Sequence, residues 1–536
     1  MKTDVLLVAV LSVVALSPWL GRVTRLPVPT VQFVCGCLLA IVPAAGLVNV
    51  SPELILLVVL PLILFWEGYQ TSVAWAERYW RPIVLNGVLL VIVTAGTVAA
   101  IAHAFGFAWP AAWALGAVLA PTDASAVAAF GRKLPTSWMT ALRGESLIND
   151  GTALVVLAVA LDAAGHKHPG IGSIALRGTQ SYGVGIAVGL AVTAVMLLLL
   201  PRVTDPMVNA TFAIALPLLA AVPAEALGGS GVVAVVTCGI AGSRSARRIS
   251  SARMRLPIHA FWQITTFVLS GGLFVLTGVL ARRLVTGTSA AHAGALLLEG
   301  IAIFVAVLTV RLAWISVWTV LLRTFDRRPQ QREIRVPSRA RLVTVWGGLR
   351  GGISLAAALT IPASIGGTAF DHRADVLVLT FVVVALSLLV QGSTLGRLVQ
   401  WASPAFPPPP TSSAVADARQ ALAQRTLHAL DDGNFLADAD SALRTEIHAH
   451  LETEAFGANI DDPRDLDRMR LQLAVLERKR HELIGLVADR HVEDSVMWDL
   501  QHLLDREESR LEARLSTAEL SSSGSMSGAS HGPAAP

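Results

Sequence analysis

The sequence predicts an all-α polytopic membrane protein, and three observations carry that prediction. Apolar stretches of about 20 residues recur from the N-terminus to about Trp401, each bounded by Pro, Gly or Arg, the length a helix needs to cross a hydrocarbon core of about 30 Å. Of the 536 residues 54% are hydrophobic and 15% charged, with a mean hydropathy of +0.60, too little charge for a soluble chain of this length. Alternate loops are rich in arginine, as expected of segments retained on the cytoplasmic side.

About thirteen spans follow, over 4–20, 29–47, 52–72, 82–105, 109–130, 137–163, 174–200, 206–222, 228–241, 257–280, 290–322, 342–365 and 374–401. The basic loops carry Arg22 and Arg25, Arg78 and Arg81, Arg132 and Lys133, Arg202, then Arg244, Arg247, Arg248, Arg253 and Arg255, and finally the run from 323 to 341. The loops between them hold Lys167, Arg177, Arg282, Arg283 and Arg373. This bias puts the N-terminus outside and the C-terminal tail in the cytosol, in agreement with an odd number of spans. Lys2 precedes the first apolar run, but no small-residue cleavage site follows, so the first helix is expected to be retained. Cys35, Cys37 and Cys238 all fall inside spans without metal or disulfide spacing and read as packing residues. The basic pI of about 9.2 reflects orientation and contact with anionic lipid, not nucleic-acid binding.

Beyond the transmembrane part, 1–401, the composition changes. Residues 402–413 form a proline-rich linker, 414–515 a charged, helical cytosolic module, and 516–536 a Ser/Gly-rich tail expected to be disordered. The best helices of the module cover 466–487 and 493–515; in the first, Leu466, Met469, Leu473 and Leu476 recur at three- and four-residue steps, and Leu483 and Val487 resume the stripe. His448, His450, His481 and His491 read as scattered surface histidines, and no catalytic constellation or cofactor motif is present in the module.

The chemistry lies in the membrane. APTDAS (120–125) and GESLINDG (144–151) place Asp123, Glu145, Asn149 and Asp150 inside apolar spans. An ionised carboxylate at mid-membrane costs roughly 2.5 kcal/mol even on the mildest scale, so such acids usually bind or move an ion. On a helix Ser146 and Asp150 share one face and Glu145 and Asn149 the adjacent one, so a single stripe offers four oxygen-bearing side chains. Pro121 disturbs the fifth span and frees carbonyls beside Thr122 and Asp123. Oxygen ligands without sulfur or imidazole suit hard cations. In the twelfth span WGGLRGGIS surrounds Arg350 with glycines, which permit close helix approach or unwinding. A buried arginine needs a carboxylate partner, and Glu145 is the expected one, in a fixed ion pair that orients Asn149. If the first and last six spans are repeats about a linking seventh, the Pro-broken and Gly-broken spans correspond, the pattern of an inverted-repeat transporter with crossed broken helices.

The series LPLILFWEGYQTS, APTDASAV, GESLINDGTALV, AEALGGSGVVAVV, WGGLRGGISLA and LLVQGSTL, in this order, resembles the monovalent cation:proton antiporter family of bacterial and animal sodium/proton exchangers, over nearly all of 1–401. The cytosolic part more loosely resembles the C-terminal region of bacterial members. The resemblance implies that Asp150 binds the cation or the proton, and that Thr122, Asp123 and Ser146 complete the cation site directly or through water. It implies that Asn149 is structural, held by Glu145 and Arg350, that Glu67 fills the place of the family's acid in the third span, and that Glu225 matches an acid at the start of the ninth. It further implies a homodimer in the plasma membrane that regulates pH and sodium without a cofactor, and, because Asn precedes Asp150, electroneutral exchange.

On this reading a sodium ion, or lithium, competes with a proton for one buried carboxylate, and only the neutralised site crosses readily between inward- and outward-facing states. Potassium/proton exchange is the runner-up. A cation channel or a membrane sensor are the readings of other classes, although channels usually repeat a selectivity element around a symmetric pore, whereas these acids sit asymmetrically on neighbouring spans.

Overall fold

In the computed structural model the described residues are 3–42, 54–71, 84–124, 127, 136–165, 171–199, 202, 205–249, 252–285, 289–325, 338–365 and 368–402, with 445, 448, 473, 506–508 and 511. The chain divides into two compact units, Met1–Pro407 and Pro408–Pro536. The linker, the tail and nearly all of the helical module expected in the second unit lie outside the described residues.

The first unit is built from α1 (Thr3–Thr24), α2 (Val28–Ile41), α3 (Leu60–Gln70), α4 (Leu90–Ala104), α5 (Trp109–Leu119), α6 (Thr136–Gly165), α7 (Ile171–Leu199), α8 (Pro206–Ala226), α9 (Gly231–Ile249), α10 (Ala252–Val285) and α11 (Ala290–Phe325). The chain continues through α12 (Ser338–Trp346), α13 (Gly352–Leu359), a two-stranded hairpin of β1 (Ser364–Ile365) and β2 (Thr368–Ala369), α14 (Arg373–Leu386) and α15 (Ser393–Ala402). Wider π-helical turns lead into α3 (Ile55–Val59) and α4 (Leu85–Leu89) and join α14 to α15 (Ser387–Gly392). Among the described residues eight helices are long and apolar enough to cross a membrane, and four further apolar helices are shorter.

Local chemistry sets many boundaries. Pro27 precedes α2, and Pro110 and Pro206 occupy the first turns of α5 and α8, where a missing N–H costs nothing. The Asp205 side chain accepts from the Met207 and Val208 amides at 2.7 and 3.2 Å and so caps α8. Gly228, at φ +74°, turns the chain between α8 and α9. That turn corrects one sequence expectation: Glu225 stands exposed in the last turn of α8, not at the start of the ninth span. Likewise α9 runs on to Ile249, well past the expected 241, because polar SRSARRI needs no hydrocarbon to stay helical.

Two bundles share the unit. One apolar cluster joins α4, α5, α6, α11, α13 and α14 around Leu115, Leu119, Ile303 and Leu379, and another joins α3, α8, α9 and α10 around Leu64, Ala220, Val235 and Trp262. The most extensive pairings are α2 with α10 and α3 with α9. If the second span corresponds to the ninth and the third to the tenth, each offset by seven, the two pairings exchange, as an inverted repeat requires. Both pairs cross on glycine: Gly36 faces Gly278, and Gly68 faces Gly239, with backbones so close that a methyl group on Gly36 would fall 2.2 Å from the Val275 carbonyl oxygen.

Candidate ion-binding site

The fifth and twelfth spans are both interrupted. Helix α5 stops at Leu119, just before Pro121, which has no N–H to continue the ladder; α12 stops at Trp346, and non-helical chain runs to Gly351 before α13 begins. The two breaks meet. The Asp123 N–H donates to the Leu349 carbonyl at 2.7 Å, and the Asp123 carboxylate rests against Gly351, where a Cβ would lie 1.7 Å from Oδ2. Arg350 reaches the other way, and its Nε donates to the Leu119 carbonyl at 3.1 Å. An acid thus faces the positive N-terminal end of α13, and a guanidinium faces the negative C-terminal end of α5.

Helix α6 supplies the next layer. Ser146 Oγ donates to the Thr122 carbonyl at 2.7 Å and accepts from the Ala124 N–H at 3.3 Å, so its hydroxyl stitches the break together. The Asn149 amide and the Thr122 hydroxyl are 3.0 Å apart. With its amide oriented to satisfy every neighbour, Asn149 donates to the backbone carbonyls of Glu145 and Asn86, each at 3.1 Å, and accepts from Thr122. Asp150 follows on the Ser146 face, 2% exposed, with Oδ2 lacking any hydrogen-bond partner. It lines a cavity of about 10 Å³, the space of roughly one water, with Pro121, Leu154, Leu157 and Ile353 among the walls. The carboxylates of Glu67 and Asp123 are close enough to act electrostatically on Asp150, and Glu67 Oε2 likewise lacks a hydrogen-bond partner.

The expected Glu145–Arg350 ion pair is not formed. Glu145 Oε1 pairs with Arg311 Nη2 of α11 at 2.6 Å, a charge contact too oblique to count as a hydrogen bond, and Glu145 Oε2 accepts from Asn86 Nδ2 at 3.3 Å. Trp314 Nε1 donates to Asn86 Oδ1 at 3.2 Å and Arg311 Nε to the Thr344 carbonyl at 3.3 Å. Arg350 instead donates to carbonyls, from Nε to that of Leu119 and from Nη1 to that of Gly348. The physical reason is that a broken helix leaves unpaired carbonyls, which a nearby guanidinium can satisfy as well as a carboxylate can. Consequently Asn149 is held by Thr122 and by backbone, not by the side chains of Glu145 and Arg350. Arg311 escaped the sequence reading although the signal was there: it is a lone cation in the apolar run VAVLTVRLAW, open to the same argument as Arg350.

Of the residues singled out from sequence, the crossing gathers Thr122, Asp123, Ser146, Asn149, Asp150 and Arg350, with Glu67 within electrostatic reach; Glu225 stays exposed at its helix end. A membrane bundle in which two interrupted helices cross beside the buried Asp150 carboxylate, one of whose oxygens has no hydrogen-bond partner, has the architecture of an ion transporter.

The chain belongs to the sodium/hydrogen exchanger family, whose transmembrane pattern matches residues 9–401. It is 36% identical over 526 residues to an uncharacterized Na+/H+ exchanger of Mycobacterium tuberculosis, an alignment spanning 95% of this chain and 96% of that one. It is 30% identical to the low-affinity Na+/H+ antiporter NhaS1 of Synechocystis over 72% of this chain and 71% of that protein. Its fold matches the sodium proton antiporter MjNhaP1 of Methanocaldococcus jannaschii with a TM-score of 0.57 at 17% identity, covering 73% of this chain and 96% of that one.

Proposed function

We propose that this protein exchanges sodium, or lithium, for protons across the plasma membrane, one for one, with Asp150 as the group both ions share. The observation that carries the reading is the Asp150 carboxylate: it is buried, one oxygen is without a hydrogen-bond partner, and two further acids lie within electrostatic range. A buried carboxylate without a counter-charge is costly, and either a proton or a monovalent cation relieves that cost. The two ions therefore compete, and the neutralised site changes access more easily than the empty one. Asp123, Thr122 and Ser146 are the further cation ligands, directly or through water, and Glu67 tunes the site from α3.

Electroneutrality is supported by the residue before Asp150: Asn149 adds an amide hydrogen-bonded to Thr122, not a second charge. The names of the Synechocystis and Mycobacterium relatives support sodium as the cation. The arginine bias supports an external N-terminus and cytoplasmic C-terminus, with 1–401 as the antiport domain, 402–413 as linker and 414–515 as a regulatory module. A homodimer serving pH and sodium homeostasis completes the proposal.

The test is reconstitution of the full chain in liposomes holding a trapped pH dye. Addition of sodium is expected to drive proton efflux whether the membrane potential is clamped or free. A response to potassium alone would reassign the cation, and absence of coupled flux with sodium, lithium and potassium would remove exchange altogether.

A further inference from the structure

The second broken span is supported by a hydrogen-bond relay that the exchange reading does not use. Ser387 and Gln391, at the two ends of one turn in the π-helical Ser387–Gly392 segment, are both fully buried. Ser387 Oγ accepts from the Arg350 N–H at 2.8 Å and donates to Gln391 Oε1 at 2.7 Å. Gln391 Nε2 donates to the Trp346 carbonyl at 3.0 Å, the last residue of α12. The relay therefore grips the non-helical segment at both ends: Gln391 where α12 stops, and Ser387 at Arg350. A π-helical turn permits this because its wider hydrogen-bond spacing carries side chains to positions a regular helix would not give. Further contacts anchor the turn, with the Thr30 hydroxyl donating to the Leu388 carbonyl at 3.0 Å and Trp346 Nε1 donating to the Thr394 hydroxyl at 2.8 Å.

What the relay holds is the floor of the ion site. The Arg350 amide bonded by Ser387 stands between the Leu349 carbonyl, which receives the Asp123 N–H, and Gly351, on which the Asp123 carboxylate rests. Movement of that three-residue segment must move Asp123 at both its backbone and its side chain. We propose that Ser387 and Gln391 are positioning residues for cation binding, setting the place of the Asp123 carboxylate through the Leu349–Gly351 backbone. Neither touches the ion. The inference rests on the exchange reading, because it assigns a role relative to that site.

The test compares the full-length wild type with Ser387→Ala, Gln391→Leu and Ser387→Thr, the last retaining the hydroxyl. Two readouts are taken: sodium-driven proton flux in liposomes, and the shift in unfolding temperature that sodium causes in detergent. Ser387→Ala and Gln391→Leu are expected to raise the sodium concentration giving half-maximal effect about fivefold in both assays, the loss of one hydrogen bond's positioning. The maximal flux at saturating sodium should stay within about twofold, and Ser387→Thr should restore the wild-type midpoint. Unchanged midpoints in both variants overturn the inference, as does a lower maximal flux at an unchanged midpoint. If Gln391→Leu does not fold, Ser387→Ala decides alone. A wild type that neither exchanges nor is stabilised by sodium overturns the exchange reading and this inference with it, a result distinct from any variant-specific change.

Discussion

The two broken spans are built alike and charged oppositely. In each, a serine on the following span bonds the non-helical segment, and a longer polar side chain stands four residues after that serine: Ser146 and Asp150 beside Asp123, Ser387 and Gln391 beside Arg350. The difference lies in completeness. Both ends of the Gln391 amide are bonded, whereas Asp150 keeps an oxygen with no partner and has further acids within electrostatic reach. Buried polar groups are nearly always satisfied, so the half with the unpartnered oxygen is the one that suits the proposed cation site, and the complete half suits a support.

The largest expected break in this contrast is Asp150→Asn, which makes the first half resemble the second. Exchange should fall roughly 50-fold or more, since an amide cannot trade a proton for a cation, while the monodisperse elution of a folded protein persists. Full activity in that variant removes Asp150 from the mechanism. Next comes Arg311→Ala, which strands Glu145 as a buried charge and should cost about 3–5 kcal/mol, read as a lowered unfolding temperature. The double variant Arg311→Met with Glu145→Gln should recover most of that stability, and failure to recover would mean that the pair is not the source of the loss.

Gly351→Ala sharpens the comparison at the contact between halves. The added methyl must displace the Asp123 carboxylate or the backbone beneath it, and the sodium midpoint of exchange should rise on the order of 10- to 100-fold. Gly294→Ala on α11, where the added methyl would meet no neighbouring atom and the backbone is helical, serves as the control. The smallest effect belongs to Tyr182→Phe. Tyr182 Oη of α7 donates to the Thr152 hydroxyl at 2.8 Å, two residues beyond Asp150, and its loss should lower stability by about 1 kcal/mol in thermal unfolding with little change in the sodium midpoint.

Much of the architecture was legible because it is local. Apolar run length locates helices, Pro121 and the glycines about Arg350 locate the interruptions, and acids inside those runs locate the site. Ser146, Asn149 and Asp150 could be grouped from helical spacing alone, and the structure gathers them at the break with Thr122 and Asp123. Less legible were Ser387 and Gln391, which sit in SLLVQGSTL as ordinary polar residues of a span; nothing in their spacing indicates that a π-helical turn aims them at α12.

By itself, then, the sequence determined the helical membrane class, the two breaks and the acidic residues at one of them, since each follows from hydrophobicity, backbone chemistry and the cost of burying charge. Only the tertiary structure decided the partners. Glu145 could meet either buried arginine, and the choice of Arg311 follows from the crossing itself, which brings the carbonyl end of α5 to Arg350 and occupies that guanidinium with Leu119 and Gly348. A helix end is an electrostatic partner as real as a carboxylate, and its position is set by packing in three dimensions.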